Sequence, residues 1–138
     1  MRVIGLDLGT KTLGIASSDL SQTIASTYKT INFNTNDYKY ALNELLKVIE
    51  ELNPSKIVLG LPKNMDGSIG FQAEKTIEFK NMIIEKTNLE VIMIDERLTS
   101  RMANNIMISA DLSRKKRKTK VDKLAATLIL QSYLDSRK

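Results

Sequence analysis

The sequence predicts an α/β fold, a mixed five-stranded sheet with helices packed on it, and three observations carry that prediction. Three short β-rich segments follow one another in the first third of the chain, as antiparallel hairpins require. Two brief apolar runs then alternate with helical periodicity, the pattern of a parallel extension. The 138 residues, 42% hydrophobic and 27% charged, suit a globular fold forming one domain over 1–138.

The first strand is expected over 2–8, with a turn at Gly9-Thr10-Lys11. Small and apolar residues continue over 12–18, and Thr and Tyr mark a third strand over 24–31. Asn34-Thr35-Asn36-Asp37 has loop or cap chemistry. Ala41, Leu42, Leu45, Leu46, Val48, Ile49 and Leu52 recur at helical spacing, which predicts a helix over 38–52 that Asn53-Pro54 stops. A buried strand follows over 56–59, and residues 63–70 form a loop rich in turn formers. A second helix is expected over 71–86 and a fifth strand over 91–94, with Asp95-Glu96-Arg97 at its end. Thr99 or Ser100 can cap a third helix reaching about 108. The run Arg114-Lys115-Lys116-Arg117-Lys118 is too charged for a core, and Thr119 can cap a last helix over 120–135.

Composition excludes much chemistry. The chain has no Cys and no His, so disulfides, thiolate metal sites, a Ser-His-Asp triad and His-ligated zinc are unavailable. No apolar run approaches the roughly 20 residues that span a bilayer. Asp7 stands where a signal peptide would keep its apolar stretch, so the cytoplasm is the expected location and no membrane partner is expected.

Charge is distributed unevenly. Residues 1–96 hold 10 Lys/Arg against 13 Asp/Glu, a balance of −3, whereas 97–138 hold 11 against 3, a balance of +8; together they make the net +5. A basic C-terminal part points to a polyanion, of which nucleic acid is the commonest.

Three acidic positions stand against their local pattern. Asp7 interrupts the apolar run of the first strand, where a carboxylate is costly unless it is ion-paired, accepts backbone hydrogen bonds or holds a metal. Asp95 and Glu96 close the fifth strand, and ligand sites gather at the carboxyl ends of parallel strands. Alternation sends these two to opposite faces, so one can join Asp7, and periodicity does not say which. Asp122 falls in the first turn of the expected last helix, at the border of its apolar face; it suits either a site or an acid favoured by the helix N-terminus. Carboxylates are hard ligands that suit Mg²⁺ or Mn²⁺, and a pair of such ions can serve phosphodiester hydrolysis without His or Cys.

Substrate-binding candidates flank these acids. Thr10 and Lys11 lie in a Gly-containing turn that suits a phosphate or merely a hairpin. Arg97 follows the second acidic segment. Arg114, Lys115, Lys116, Arg117 and Lys118 could track phosphates as a mobile arm. Few aromatic residues are present, so contacts to backbone and shape are expected rather than extensive base stacking.

These residues also form an ordered set of motifs: Gly5-Leu6-Asp7-Leu8-Gly9-Thr10-Lys11 with Gly14, then Gly60-Leu61-Pro62 with Asp66-Gly67-Ser68 and Gln72-Ala73. Asp95-Glu96-Arg97-Leu98-Thr99-Ser100 follows, and Asp122-Lys123-Leu124-Ala125-Ala126 with Ile129-Leu130-Gln131 completes it. In this order, over nearly the whole chain, they resemble the bacterial YqgF proteins, also called RuvX, of the ribonuclease H-like superfamily. The resemblance implies a ribonuclease H-like fold and catalytic, metal-holding carboxylates at Asp7, Glu96 and Asp122, preferring Glu96 to Asp95. It further implies either maturation of the 5′ end of precursor 16S rRNA or resolution of Holliday junctions. The leading expectation is a Mg²⁺- or Mn²⁺-dependent endonuclease on structured nucleic acid, precursor rRNA before branched DNA. Ribosomal particles would be a further partner, and the protein would be a monomer or homodimer.

Two readings compete. One is a nucleic-acid-binding protein without nuclease activity, its acids being remnants or ion pairs. The other is an actin-like or sugar-kinase-like ATPase, whose nucleotide sits between two related domains where this chain has room for one.

Overall fold

A computed structural model describes residues 1–62, 66, 69–95 and 114–136, the stretch 114–124 as backbone alone. The elements run β1 Val3–Leu8, β2 Thr12–Ser18, β3 Ala25–Asn32, α1 Tyr38–Leu52, β4 Lys56–Leu61, α2 Phe71–Thr87, β5 Glu90–Asp95 and α3 Arg114–Ser136. The strand order is β3-β2-β1-β4-β5. β1 pairs antiparallel with β2, and β2 with β3, whereas β1–β4 and β4–β5 are parallel. The expected mixed sheet is therefore present.

Both faces of the sheet are covered, which explains the nearly continuous apolar runs of β1 and β4. Ile4, Leu6, Leu8, Ile57 and Leu59 join Leu45, Phe79 and Ile83 in the core under α1 and α2. Residues of the other parity, Val3, Ala16 and Val58, pack with Ala126, Ile129, Leu130 and Leu134 of α3. Period-two alternation thus assigns the positions of β1, β2, β4 and β5 to the α1/α2 face or to the α3 face, whereas in β3 a bulge opposite Ile15 and Ala16 puts Ala25 and Ile31, of equal parity, on different faces.

Local chemistry sets the helix ends. The Asp37 carboxylate accepts from the Tyr40 N–H at 3.3 Å, starting α1. Asn53, at φ 47°, closes α1 in the left-handed region that Asn tolerates, and Asn88, at φ 59°, closes α2 in the same way.

One expectation is corrected. The basic run 114–118 is not an arm separate from the last helix: it forms the first turns of α3, which begins at Arg114 rather than after Thr119. Lys and Arg are good helix formers, so a charge run that cannot enter a core need not leave a helix. The expected helix over 99–108 lies outside the described residues. Among those described, no helix is long and apolar enough to cross a membrane.

Candidate active site

Asp7 sits at the next-to-last position of β1, opposite Gly14 of β2. It shares parity with Val3 and Gly5, so it belongs to the α3 face at the carboxyl end of the parallel strands. It is half-buried. Among the described residues it forms no ion pair and no side-chain hydrogen bond, so the reading of Asp7 as one half of a lysine pair finds no partner there.

The space beside Asp7 is kept open by small residues. A β-carbon on Gly14 would lie 3.6 Å from the Ala126 Cβ and 3.9 Å from the Asp7 Cβ. Gly14 thus marks where β1, β2 and α3 converge. A groove of about 540 Å³ opens here, lined by Asp7, Thr10, Lys11, Gly14, Thr30 and Asn32 among others. The structure therefore brings Thr10 and Lys11 to one depression with Asp7. Backbone bonds brace their turn: Gly9 N–H to Thr12 O at 2.7 Å, Asn36 N–H to Thr10 O at 2.8 Å and Phe33 N–H to Lys11 O at 2.9 Å. Lys11 is exposed, its ammonium available to an anion. A second depression, about 400 Å³ near Arg2, Ser18 and Leu52, contains none of the predicted residues.

α3 crosses β1 in the antiparallel sense. A β-carbon on Gly5 would meet Leu130 Cβ at 2.6 Å and Ala126 O at 2.9 Å, while Ala126 also reaches the Asp7–Gly14 level. Moving toward the carboxyl end of β1 therefore means moving toward the N-terminus of α3. Gln131 pins the helix at the other end of the sheet: its Oε1 accepts from Ala25 N–H at 2.9 Å and its Nε2 donates to Thr23 O at 3.0 Å. Asp122 precedes Ala126 by one turn and is the ninth residue of α3, not in its first turn as expected. The N-terminal dipole fades within a turn, so it does not account for an acid placed there.

Asp95 is the last residue of β5 and pairs with Leu61. Val91 and Met93 pack toward α1 and α2, whereas Ile92 and Ile94 pack toward α3. Asp95 has the parity of the first pair, opposite to the face of Asp7. Glu96 and Arg97 lie outside the described residues, as do the side chains of Asp122 and of 114–118. No group of three or more metal-ligating residues occurs among the described residues.

Sequence reasoning missed Thr30 and Asn32. They enter the groove because Thr30 pairs with Gly14 and Asn32 with Thr12, a register no composition signal reveals. Gln72 belonged to a motif without a role. Its Nε2 donates to the Leu8 carbonyl at 3.2 Å, tying the start of α2 to the residue after Asp7.

The family model described as RuvX, Holliday junction resolvase, matches residues 1–136. A relative from Geobacillus sp. (strain WCH70), named "Putative pre-16S rRNA nuclease", is 47% identical over 137 residues, 99% of each chain. A Bacillus subtilis (strain 168) protein of the same name is 46% identical over 136 residues, again 99% of each. The T. thermophilus RuvC structure in complex with Holliday junction substrate superposes with TM-score 0.61 over 99% of this chain and 95% of that one. At 12% identity that likeness speaks for the ribonuclease H-like fold alone. With a family match over nearly its whole length and relatives this similar, the chain belongs to the RuvX (YqgF) family of nucleases.

Proposed function

We propose that this protein is a metal-dependent endonuclease that matures the 5′ end of precursor 16S rRNA, using Asp7, Glu96 and Asp122. The observation that carries the reading is Asp7 itself: a half-buried carboxylate without an ion-pair partner among the described residues, in an open groove at the carboxyl ends of parallel strands. The relatives' name supports the choice of substrate.

Strand parity and helix direction support the other acids. Glu96 follows Ile92 and Ile94 in parity, so continued alternation from β5 would turn it to the Asp7 face, where Asp95 does not go. α3 runs toward the carboxyl end of β1 from Leu130 to Ala126, and Asp122 lies about 6 Å farther along its axis at 1.5 Å per residue. The basic positions 114–118 continue another 6–12 Å or so beyond Asp122. They would therefore serve as a helical extension that holds phosphates past the cut, with Lys11 and Thr10 nearer to it and Arg97 as a further cation for the substrate.

The donor set fits Mg²⁺ or Mn²⁺, being carboxylate oxygens with no His or Cys anywhere in the chain. Divalent ions held there supply water activation and charge neutralisation at the departing oxygen. The chain's own residues orient the scissile phosphate over Asp7 and hold the flanking phosphates on Lys11 and the α3 extension. The chain acts as one domain in the cytoplasm, as a monomer or homodimer, on precursor rRNA within ribosomal particles.

The substrate is tested by offering a precursor 16S rRNA 5′ segment and a four-way DNA junction with Mn²⁺. Cutting of the RNA in preference to the junction is expected. Cutting of the junction alone would replace this reading with resolvase activity, and binding of both without cutting would replace it with a binding function.

A further inference from the structure

Phe71, the first residue of α2, is 63% exposed, and Ile69 two residues earlier is 45% exposed. The opposite side of the helix is satisfied: Ala73, Thr76, Phe79 and Ile83 are buried. The ring therefore projects from an element whose core face is already docked. Its neighbour Gln72 anchors the helix start to the Leu8 carbonyl at 3.2 Å, which mounts Phe71 at the strand end that carries Asp7. One turn on, Lys75 Nζ lies 5.3 Å from the Phe71 ring centroid and 3.5 Å from Glu78 Oε2.

These features favour one kind of occupant. A protein-docking patch spans several hundred square ångströms of contiguous apolar surface, whereas among the described residues the large apolar side chains exposed at this helix start are Phe71 and Ile69, with an ammonium over the ring. Lys75 lies over one face of the ring and shares its charge with Glu78, which leaves the rest of the exposed ring to a nucleobase, a group that stacks on an aromatic face without needing a counter-charge. We propose that Phe71 is a stacking platform for an unpaired nucleobase of the bound strand, with Lys75, itself held by Glu78, steadying the ring. This rests on the reading that the Asp7 end engages nucleic acid. It adds a preference for unpaired over paired nucleic acid at that end of the sheet, on the face opposite α3.

The chain contains no Trp, so Phe71→Trp creates a single indole at the platform, and Asp7→Asn in the same chain keeps the probe intact. Single-stranded RNA, single-stranded DNA of the same sequence and blunt RNA duplex are titrated, following indole emission and the anisotropy of a labelled strand. Quenching by the single strands but not by the duplex is expected. Phe71→Ala should weaken single-strand binding about tenfold and leave duplex binding within about twofold. Phe71→Leu, apolar but without a π face, should not restore it. Single-strand binding without quenching, an equal loss for duplex and single strand, or no binding at all would each overturn the proposal. Quenching by RNA that the wild type fails to cut would remove the nuclease reading and leave the platform standing.

Discussion

Gly5 of β1 and Leu130 of α3 pack so closely that a β-carbon on the glycine would lie 2.6 Å from the leucine Cβ, and 2.9 Å from the Ala126 carbonyl oxygen. This approach sets the height of α3 above β1 and hence the distance between Asp7 and any residue that α3 brings toward it. Gly5→Ala must push the helix outward, which costs about 1–3 kcal/mol as overpacking does. Urea unfolding should show that loss, and cleavage by the still-folded fraction should fall with it. Gly14→Ala is the control: its β-carbon meets only ordinary contacts of 3.6 and 3.9 Å, so stability should change by less than about 1 kcal/mol. Equal destabilisation by the two would contradict this account of the packing.

The β2–β3 turn carries a pH signature. Asp19 is lowered from its ordinary 3.8 to about 2 by the Ser21 hydroxyl first and by the Thr23 and Ile24 N–H groups next. A carboxyl depressed on folding stabilises the fold fully above its unfolded value, and that contribution is lost as pH falls through the folded value. The melting-temperature gap between wild type and Asp19→Ala should therefore be constant above about pH 5 and shrink between about pH 4 and 2. A gap that stays constant down to pH 2 would show that the Asp19 carboxylate does not hold the turn.

The strand parity of β5 makes a sharper claim. Asp95 shares the face of Val91 and Met93, away from Asp7, so Asp95→Asn should leave the cleavage rate within a few-fold. Glu96→Gln should lower it more than about a hundredfold, since outer-shell losses alone reach 10–100-fold at metal sites. Single-turnover rates at saturating enzyme measure both. The reverse order would mean that the chain twists or bulges between Ile94 and Glu96.

Much of this was legible in the sequence, for identifiable reasons. α1 has the predicted bounds, Tyr38–Leu52, because its apolar spacing, its Asp37 cap and its Asn53 stop agree with one another. Asp7 was conspicuous because a charge in an otherwise apolar, doubly covered strand needs a reason. The start of α3 was missed because the basic run was weighed by its unfitness for a core, not by its helix propensity. That reading put Asp122 in a first turn, where the helix N-terminus favours an acid, whereas it is the ninth residue of α3. The choice between Asp95 and Glu96 was not legible from periodicity. Alternation separates the two residues, but only the packing of Ile92 and Ile94 under α3 says which face is which. Thr30 and Asn32 were hidden for a like reason, since their place depends on the β2–β3 register.

The most direct test of the account compares wild type with Asp7→Asn on a precursor 16S rRNA 5′ segment in Mn²⁺, with RNA binding measured alongside. Asp7 forms no ion pair or side-chain hydrogen bond among the described residues, so its neutral isostere should leave the fold and RNA affinity intact. The account predicts a cleavage rate reduced more than about a hundredfold in the variant, with affinity nearly unchanged. Cleavage by a clean Asp7→Asn preparation at close to the wild-type rate would contradict it.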